Sequence, residues 1–156
     1  MDDYAEFRTI RGYELERRGE RSPTHAMEDY LEMIGRLGEK TGAVRAVELS
    51  EHLHVRPSST SKMMGKLRDM GYVEASSAGD IRLTADGRTL AQYLIRRHRT
   101  VEAFLRLLGH AEPLVETELL EHNVSAATVW KLERLAAFFE ERPEVYQALR
   151  DDLDKK

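Results

Sequence analysis

Residues 45 to 83 carry the pattern that most narrows the fold. RAVELSEHLHV is helical, with Ala46, Leu49 and Leu53 as its apolar stripe. Val55-Arg56-Pro57 breaks it. SSTSKMMGKLRDMGYV then resumes a helix whose Met63, Met64, Leu67 and Met70 can face a core; Ser58 is its expected N-cap and Gly71 its stop. YVEASSAGDIRLT reads as two short strands around a Ser-Ala-Gly-Asp turn. Two short helices joined by a tight turn, followed by a small hairpin, make a winged helix-turn-helix.

Helices flank this unit on both sides. From Thr24 to about Lys40, Met27, Tyr30, Leu31, Ile34 and Leu37 share one face, and Thr41-Gly42 ends the run. Thr84 caps a long helix reaching Leu108, with Leu90, Leu94, His98, Val101 and Leu105 in one stripe; Gly109 ends it. Pro113 opens a helix through ELLEHNV, Ser125 caps VWKLERLAAFFEER, and Pro143 starts a terminal turn. GERSPT separates the first twenty residues, where EFRTIRGYELERR can form a short helix with a weak apolar pattern. The fold class is therefore mainly α.

Composition removes several functions. With no cysteine there are no disulfides and no thiolate metal sites, so carboxylates, histidines and carbonyls are the available ligands. A net charge of −4 argues against a broadly basic nucleic-acid coat but leaves room for a local basic face. No run approaches the roughly 18 apolar residues of a membrane span, and the N-terminus lacks a signal-peptide core, so a cytoplasmic location with no membrane partner is expected.

ELSEHLH (48 to 54) and ELLEHNV (118 to 124) share the pattern Glu, two residues, Glu, His. In the first copy, Glu48, Glu51 and His52 point away from Ala46, Leu49 and Leu53, as a solvated face does. In the second, Leu114, Val115 and Leu119 interleave in angle with Glu118, Glu121 and His122, so the polar trio is expected to face inward. Buried carboxylates need pairing or a cation, which makes this copy a candidate metal site. One helix cannot fill a six-coordinate shell. His98, inside an apolar stripe, and Asp29 and Glu32, nearly opposite theirs, are the further candidates, each equally readable as ordinary core or surface.

MEDYLEMI, RPSSTSKMMGKLRDMGYV, IRLTADGRTLAQYLIRRHR and ELLEH occur in the order and approximate spacing of the diphtheria toxin repressor family of metal-activated bacterial transcription regulators. Over roughly residues 24 to 145 the chain resembles most its short manganese transport regulator branch. The resemblance implies metal ligation by Asp29, Glu32, His98, Glu118, Glu121 and His122. The iron-responsive branch has methionine in place of Asp29 and cysteine in place of Glu118. Oxygen and imidazole donors suit Mn(II), although geometry and availability, not intrinsic affinity, must select it. Two ions per subunit are expected, with Fe(II), Co(II), Cd(II) or Zn(II) also binding in vitro. Asn123 departs from the branch, which often has a second histidine there.

Recognition helices read bases with their first residues. Pro57, Ser59 and Thr60 are expected near bases, and Arg56, Ser58, Lys62, Lys66 and, in the wing, Arg82 near phosphates. One winged helix contacts too few phosphates for specificity, so a homodimer on double-stranded operator DNA is expected, paired through helices bearing Trp130, Leu132, Leu135, Phe138 and Phe139. The organisation is then an extension (1–23), a winged helix-turn-helix DNA-binding domain (24–84) and an all-helical metal-binding and dimerisation domain (85–156). The function implied is manganese-dependent repression of metal-uptake genes. The alternatives are an iron-dependent repressor of the same family or a winged-helix regulator sensing a small organic ligand, though no organic substrate is expected. A carboxylate-bridged dimetal oxidase needs paired Glu-x-x-His motifs that this chain lacks, so no enzyme is expected.

Overall fold

The computed structural model describes residues 22–75 and 79–155; the short helix anticipated within residues 1–20 lies outside them. Thr24 caps α1 (His25–Thr41), its hydroxyl accepting from the Met27 N–H at 3.4 Å. Gly42 closes the helix at φ 71°, in the left-handed region that favours glycine. Tyr30, Leu31 and Ile34 are buried, with Met27 and Leu37 packed at the margin. Beyond Gly42, Val44 exchanges N–H···O bonds of 2.9 and 2.8 Å with Ile81 of the wing.

Helices α2 (Ala46–His52) and α3 (Pro57–Asp69) form the helix-turn-helix. His54 takes φ 52° in the turn between them. The start of α3 departs from expectation. Arg56 is the N-cap residue without a side-chain cap, and Pro57 occupies the first turn, where its missing N–H is no loss. Ser58 lies inside the helix and caps nothing. Thr60 is a second correction: it is fully buried, not presented at the surface. Its hydroxyl lies 2.9 Å from that of Ser50 and 3.4 Å from that of Tyr30, so hydroxyls from α1, α2 and α3 meet in one satisfied buried cluster.

The wing pairs β1 (Val73–Ala75) with β2 (Ile81–Leu83) antiparallel, with Val73 opposite Leu83, Glu74 opposite Arg82 and Ala75 opposite Ile81. Val73, Ile81 and Leu83 enter the core while Glu74 and Arg82 face solvent, the alternation a half-buried hairpin requires. Thr84 caps α4 (Ala85–Leu107), accepting from the Gly87 N–H at 3.0 Å and donating to the Gly71 carbonyl at 2.7 Å.

Helix α4 runs antiparallel to α1. Glu28 lies against Arg97 near one end, and Gly35 lies against Ala91 nearer the other. A β-carbon at Gly35 would sit 3.0 Å from that of Ala91 and 3.1 Å from Ile95 Cδ1, so the close approach of the two helices uses the absent side chain. The first half of α4 closes the N-terminal core with Ala91 and Leu94; the second carries Val101 and Leu105 into the C-terminal half.

After Gly109, α5 (Leu114–Leu120) stops short and a 3-10 turn (Glu121–Asn123) follows. The continuous helix expected through ELLEHNV does not form, because Val124 is extended and Ser125 already caps α6 (Ala126–Glu140). Helix α7 (Pro143–Leu153) extends well beyond the terminal turn expected from Pro143. The buried apolar set here is small, namely Val101, Leu105, Pro113 and Val129, while Leu114, Val115, Leu119, Leu120, Trp130, Leu135 and Phe138 are exposed. Among the described residues, no helix is long and apolar enough to cross a membrane.

Gly87 is the point where α4 passes closest to the wing; a β-carbon there would lie 2.0 Å from the Tyr72 carbonyl oxygen. Gly87→Ala is expected to cost about 1–3 kcal/mol or more, as overpacking does. Urea unfolding of the metal-free protein checks this, and an unshifted midpoint would contradict the packing described.

Candidate metal centre

The two E-x-x-E-H copies part company in the structure, though not for the reason expected. In ELSEHLH, Glu48, Glu51 and His52 are all exposed, as their angular position predicts. In ELLEHNV, Leu114, Val115 and Leu119 are exposed instead of facing inward with the polar trio. The buried line of this segment is Pro113, Thr117 and Glu121, four residues apart. Glu121 ends with 1% of its surface exposed, on the 3-10 turn that sets it and His122 against α1 and α4.

Around Glu121 the structure gathers all six sequence-predicted ligands. Its Oε2 lies 3.1 Å from His98 Nδ1. The same nitrogen is 3.6 Å from Glu118 Oε1 and 3.8 Å from Glu32 Oε1. One donor atom each from Glu32, His98 and Glu121, all buried, fall within 4.8 Å of one another, a spacing at which a single cation can be shared. The other oxygen, Oε1, faces His122 Nε2 at 3.9 Å, and that nitrogen is 3.1 Å from Asp29 Oδ1. Asp29 and Glu118 keep 44% and 53% of their side-chain surface, so this is a pocket open to solvent at its rim.

Two sets of partners escaped the sequence reading: Glu28 with Arg97, and Arg36 on its own. Glu28 Oε2 accepts from His122 Nδ1 at 2.9 Å and from Arg97 Nη2 at 2.9 Å. Arg97 Nη2 also lies 3.2 Å from that nitrogen; we take this as two donors converging on one carboxylate oxygen, not as a bond between them. Arg97 is 4% exposed. A signal existed: Arg97 stands three residues after Leu94 and four before Val101, on the apolar stripe, and a buried guanidinium demands a carboxylate. Arg36 is the other, with Nε and Nη2 both on Glu32 Oε1, at 2.8 and 2.6 Å.

The electrostatics are those of a carboxylate cluster held together by protons and guanidinium groups. Its bond to Glu121 raises the His98 pKa against the opposing effect of burial. Burial, reinforced by the Glu121 charge, raises that of Glu118. Burial works to raise Glu28 as well, but the His122 and Arg97 bonds prevail and lower it. His122, donating to Asp29 and then to Glu28, is pushed up to about 9.

These residues fit a divalent cation. The donors are oxygen and imidazole nitrogen, and the deepest carboxylate is nine-tenths or more enclosed. The expected DNA-facing residues lie far along the chain on α3 and the wing. Arg56, Pro57, Ser58, Ser59, Lys62, Lys66 and Arg82 are exposed; Thr60 is not.

A family model described as iron dependent repressor, N-terminal DNA binding domain, matches residues 23–79, and one described as iron dependent repressor, metal binding and dimerisation domain, matches residues 84–149. The chain is 37% identical over 131 residues to the HTH-type transcriptional regulator MntR of Geobacillus kaustophilus, covering 83% of this chain and 93% of that protein. Against the MntR of Lysinibacillus sphaericus it is 34% identical over 129 residues, covering 81% and 93%. Among solved structures, the metal-dependent transcriptional regulator MtsR superposes with a TM-score of 0.66 at 32% identity, covering 72% of this chain and 54% of that one. The manganese regulator SloR gives 0.64 at 32% identity, covering 72% and 54%. The chain spans little more than half the length of these solved regulators.

Because the folded-state pKa of His122 is raised, its ion pairs stabilise the metal-free protein fully below pH 6.5, and that contribution is lost as pH rises through about 9. Thermal melts of metal-free protein between pH 6 and 9.5 are expected to show a loss of stability that His122→Gln abolishes. Parallel curves for the two proteins would contradict the pairing.

Proposed function

The chain belongs to the iron dependent repressor family, whose DNA binding domain and metal binding and dimerisation domain it carries in order, and from that premise we propose a Mn(II)-activated repressor that binds operator DNA as a homodimer and controls metal-uptake genes. It is a transcription regulator, not an enzyme. Binding of a divalent metal and of DNA follows from the family; the choice of manganese is the finer step. The observation that carries it is the donor set around Glu121, in which Asp29, Glu32, Glu118 and Glu121 supply oxygen, His98 and His122 supply nitrogen, and no thiolate is available. The manganese named for the regulator SloR points the same way.

We assign two ions per subunit. Glu121 meets His98 through Oε2 and His122 through Oε1; His98 gathers Glu32 and Glu118 around it and His122 gathers Asp29, so the residues that would hold the ions form two groups joined at this carboxylate. A bound ion supplies the positive charge that this carboxylate cluster needs once its histidines give up their protons.

The chain's own residues do the rest. Asp29 and Glu32 stand on α1, inside the part assigned to DNA binding (24–84). Glu118, Glu121 and His122 stand in the part assigned to metal binding and pairing (85–156), and His98 on the helix that crosses both. Ligands drawn from both parts fix how one sits on the other, and so the spacing of two recognition helices in a dimer. Exposed Pro57 and Ser59 are assigned to bases, and Arg56, Ser58, Lys62, Lys66 and Arg82 to phosphates. Thr60 is removed from that set by its burial. The exposed apolar residues of α5 and α6, among them Leu119 and Trp130, supply the surface for a second copy.

Operator gel shifts across Mn(II), Fe(II), Co(II), Zn(II) and Cd(II) test the assignment. Glu121→Ala is expected to abolish metal-dependent binding, while Glu51→Ala, on the exposed copy, leaves it nearly intact; equal losses would contradict the separation of the copies. Asp29→Met is expected to shift the response from manganese towards iron, and an unchanged profile would count against Asp29 as a ligand.

A further inference from the structure

Every carboxylate at the centre of the cluster has a proton-bearing or cationic partner from within the chain, but only one of those partners belongs to neither the ligand set nor the buried core. Arg36, one helical turn after Glu32 on α1, places Nε and Nη2 on the Oε1 of Glu32 at 2.8 and 2.6 Å. That oxygen is the one nearest His98 Nδ1, at 3.8 Å. Arg36 therefore occupies the face of Glu32 that turns towards the shared donor atoms. Its side chain is 35% exposed against 12% for Glu32, so the guanidinium can leave while the carboxylate stays.

A place to go adjoins it. Arg36 lines the metal pocket together with Asp29, Glu32, His98 and Glu118. It also lines a second cavity of about 490 Å³ between α1, α4 and α6, whose walls include Glu39, Glu133 and Glu140. Glu133 is already paired with Arg96. Glu39 and Glu140 are exposed acidic groups on the wall of this cavity, which Arg99 also lines, and Glu39 stands three residues along the same helix as Arg36.

We propose that Arg36 is a resident cation that holds Glu32 when metal is absent and must withdraw towards Glu39 and Glu140 when metal binds, so that it sets the metal concentration to which the protein responds. This rests on the metal reading of the Glu121 cluster. The physics is competition. A half-buried carboxylate with no partner is costly, so Arg36 stabilises the metal-free state. A guanidinium left beside a dication repels it, so the same side chain opposes metal binding. The alternative, that Arg36 orients Glu32 for the ion, makes the opposite prediction of sign.

The test is calorimetric titration of the full-length metal-free protein with Mn(II), paired with thermal melts. Arg36→Met is expected to bind Mn(II) roughly tenfold more tightly or better, while its metal-free melting temperature falls. Arg36→Lys, which keeps the charge, is expected to lie near wild type in affinity. The Glu39→Gln, Glu140→Gln double variant is expected to weaken Mn(II) binding in the wild-type background and to have no effect in Arg36→Met. Equal or weaker Mn(II) binding by Arg36→Met overturns the proposal and makes Arg36 a positioning residue. A double variant without effect overturns the withdrawal towards Glu39 and Glu140. Wild type that fails to bind Mn(II) while Arg36→Met also fails overturns the metal reading itself.

Discussion

Glu121, a carboxylate with 1% of its surface exposed, sets the terms for the rest of this structure. An ionised carboxyl group at that depth is untenable without positive charge on both oxygens. His98 approaches one oxygen and His122 the other, and each histidine is itself held by carboxylates from other elements. The result is a chain of alternating charge that runs from Glu118 through His98, Glu121 and His122 to Asp29 and Glu28, ending on buried Arg97. Replacing protons in that chain by divalent cations preserves its charge logic. Removing Glu121 does not.

The frame for this arrangement is the antiparallel pair α1 and α4. Small residues, Gly35 and Ala91, let the helices approach, and the same register brings Glu28 and Glu32 opposite Arg97 and His98. Only then can the short α5 and its 3-10 turn add Glu118, Glu121 and His122 from above. Because α1 also buries Tyr30 against Thr60 of α3, the residue next to Asp29 touches the recognition helix. The Glu121 cluster and α3 thus share one helix as their common support. A coupling between them needs no long path, although its size is a matter for measurement.

Much of this was legible in the sequence. The 3.6-residue stripes of α1, α3 and α4, the Thr84 and Ser125 caps, and the β-rich hairpin all follow from local rules, and local rules hold where packing is ordinary. Angular position and residue type singled out the six candidate ligands, and resemblance alone gave them a common role; the angular argument named Glu118, Glu121 and His122 but got their apolar neighbours wrong. Leu114, Val115 and Leu119 look like an inward stripe, yet they are exposed, because the inward positions of α5 belong to Thr117 and Glu121. An apolar stripe left exposed reads as core to any single-chain rule. The 3-10 turn at Glu121 was invisible for a related reason, since the following cap at Ser125 overrides the helix period. Ser58 lost its expected cap, because Pro57 already stands in the first turn of α3, and Thr60 lost its expected place at the surface by turning into the core. Glu28, Arg97 and Arg36 carry no motif. They become meaningful only when a carboxylate-rich pocket needs cations at stated positions.

The central claim is that metal held at the Glu121 cluster and DNA held at α3 are energetically linked. The most direct measurement is the affinity of the dimer for an operator duplex by fluorescence anisotropy, with and without saturating Mn(II) at fixed ionic strength, and of Mn(II) with and without the duplex. The expected result is tightening of operator binding by about 5- to 150-fold, with Mn(II) tightened by the same factor in return. Operator affinity unchanged by Mn(II), with the ion demonstrably bound, would contradict the account.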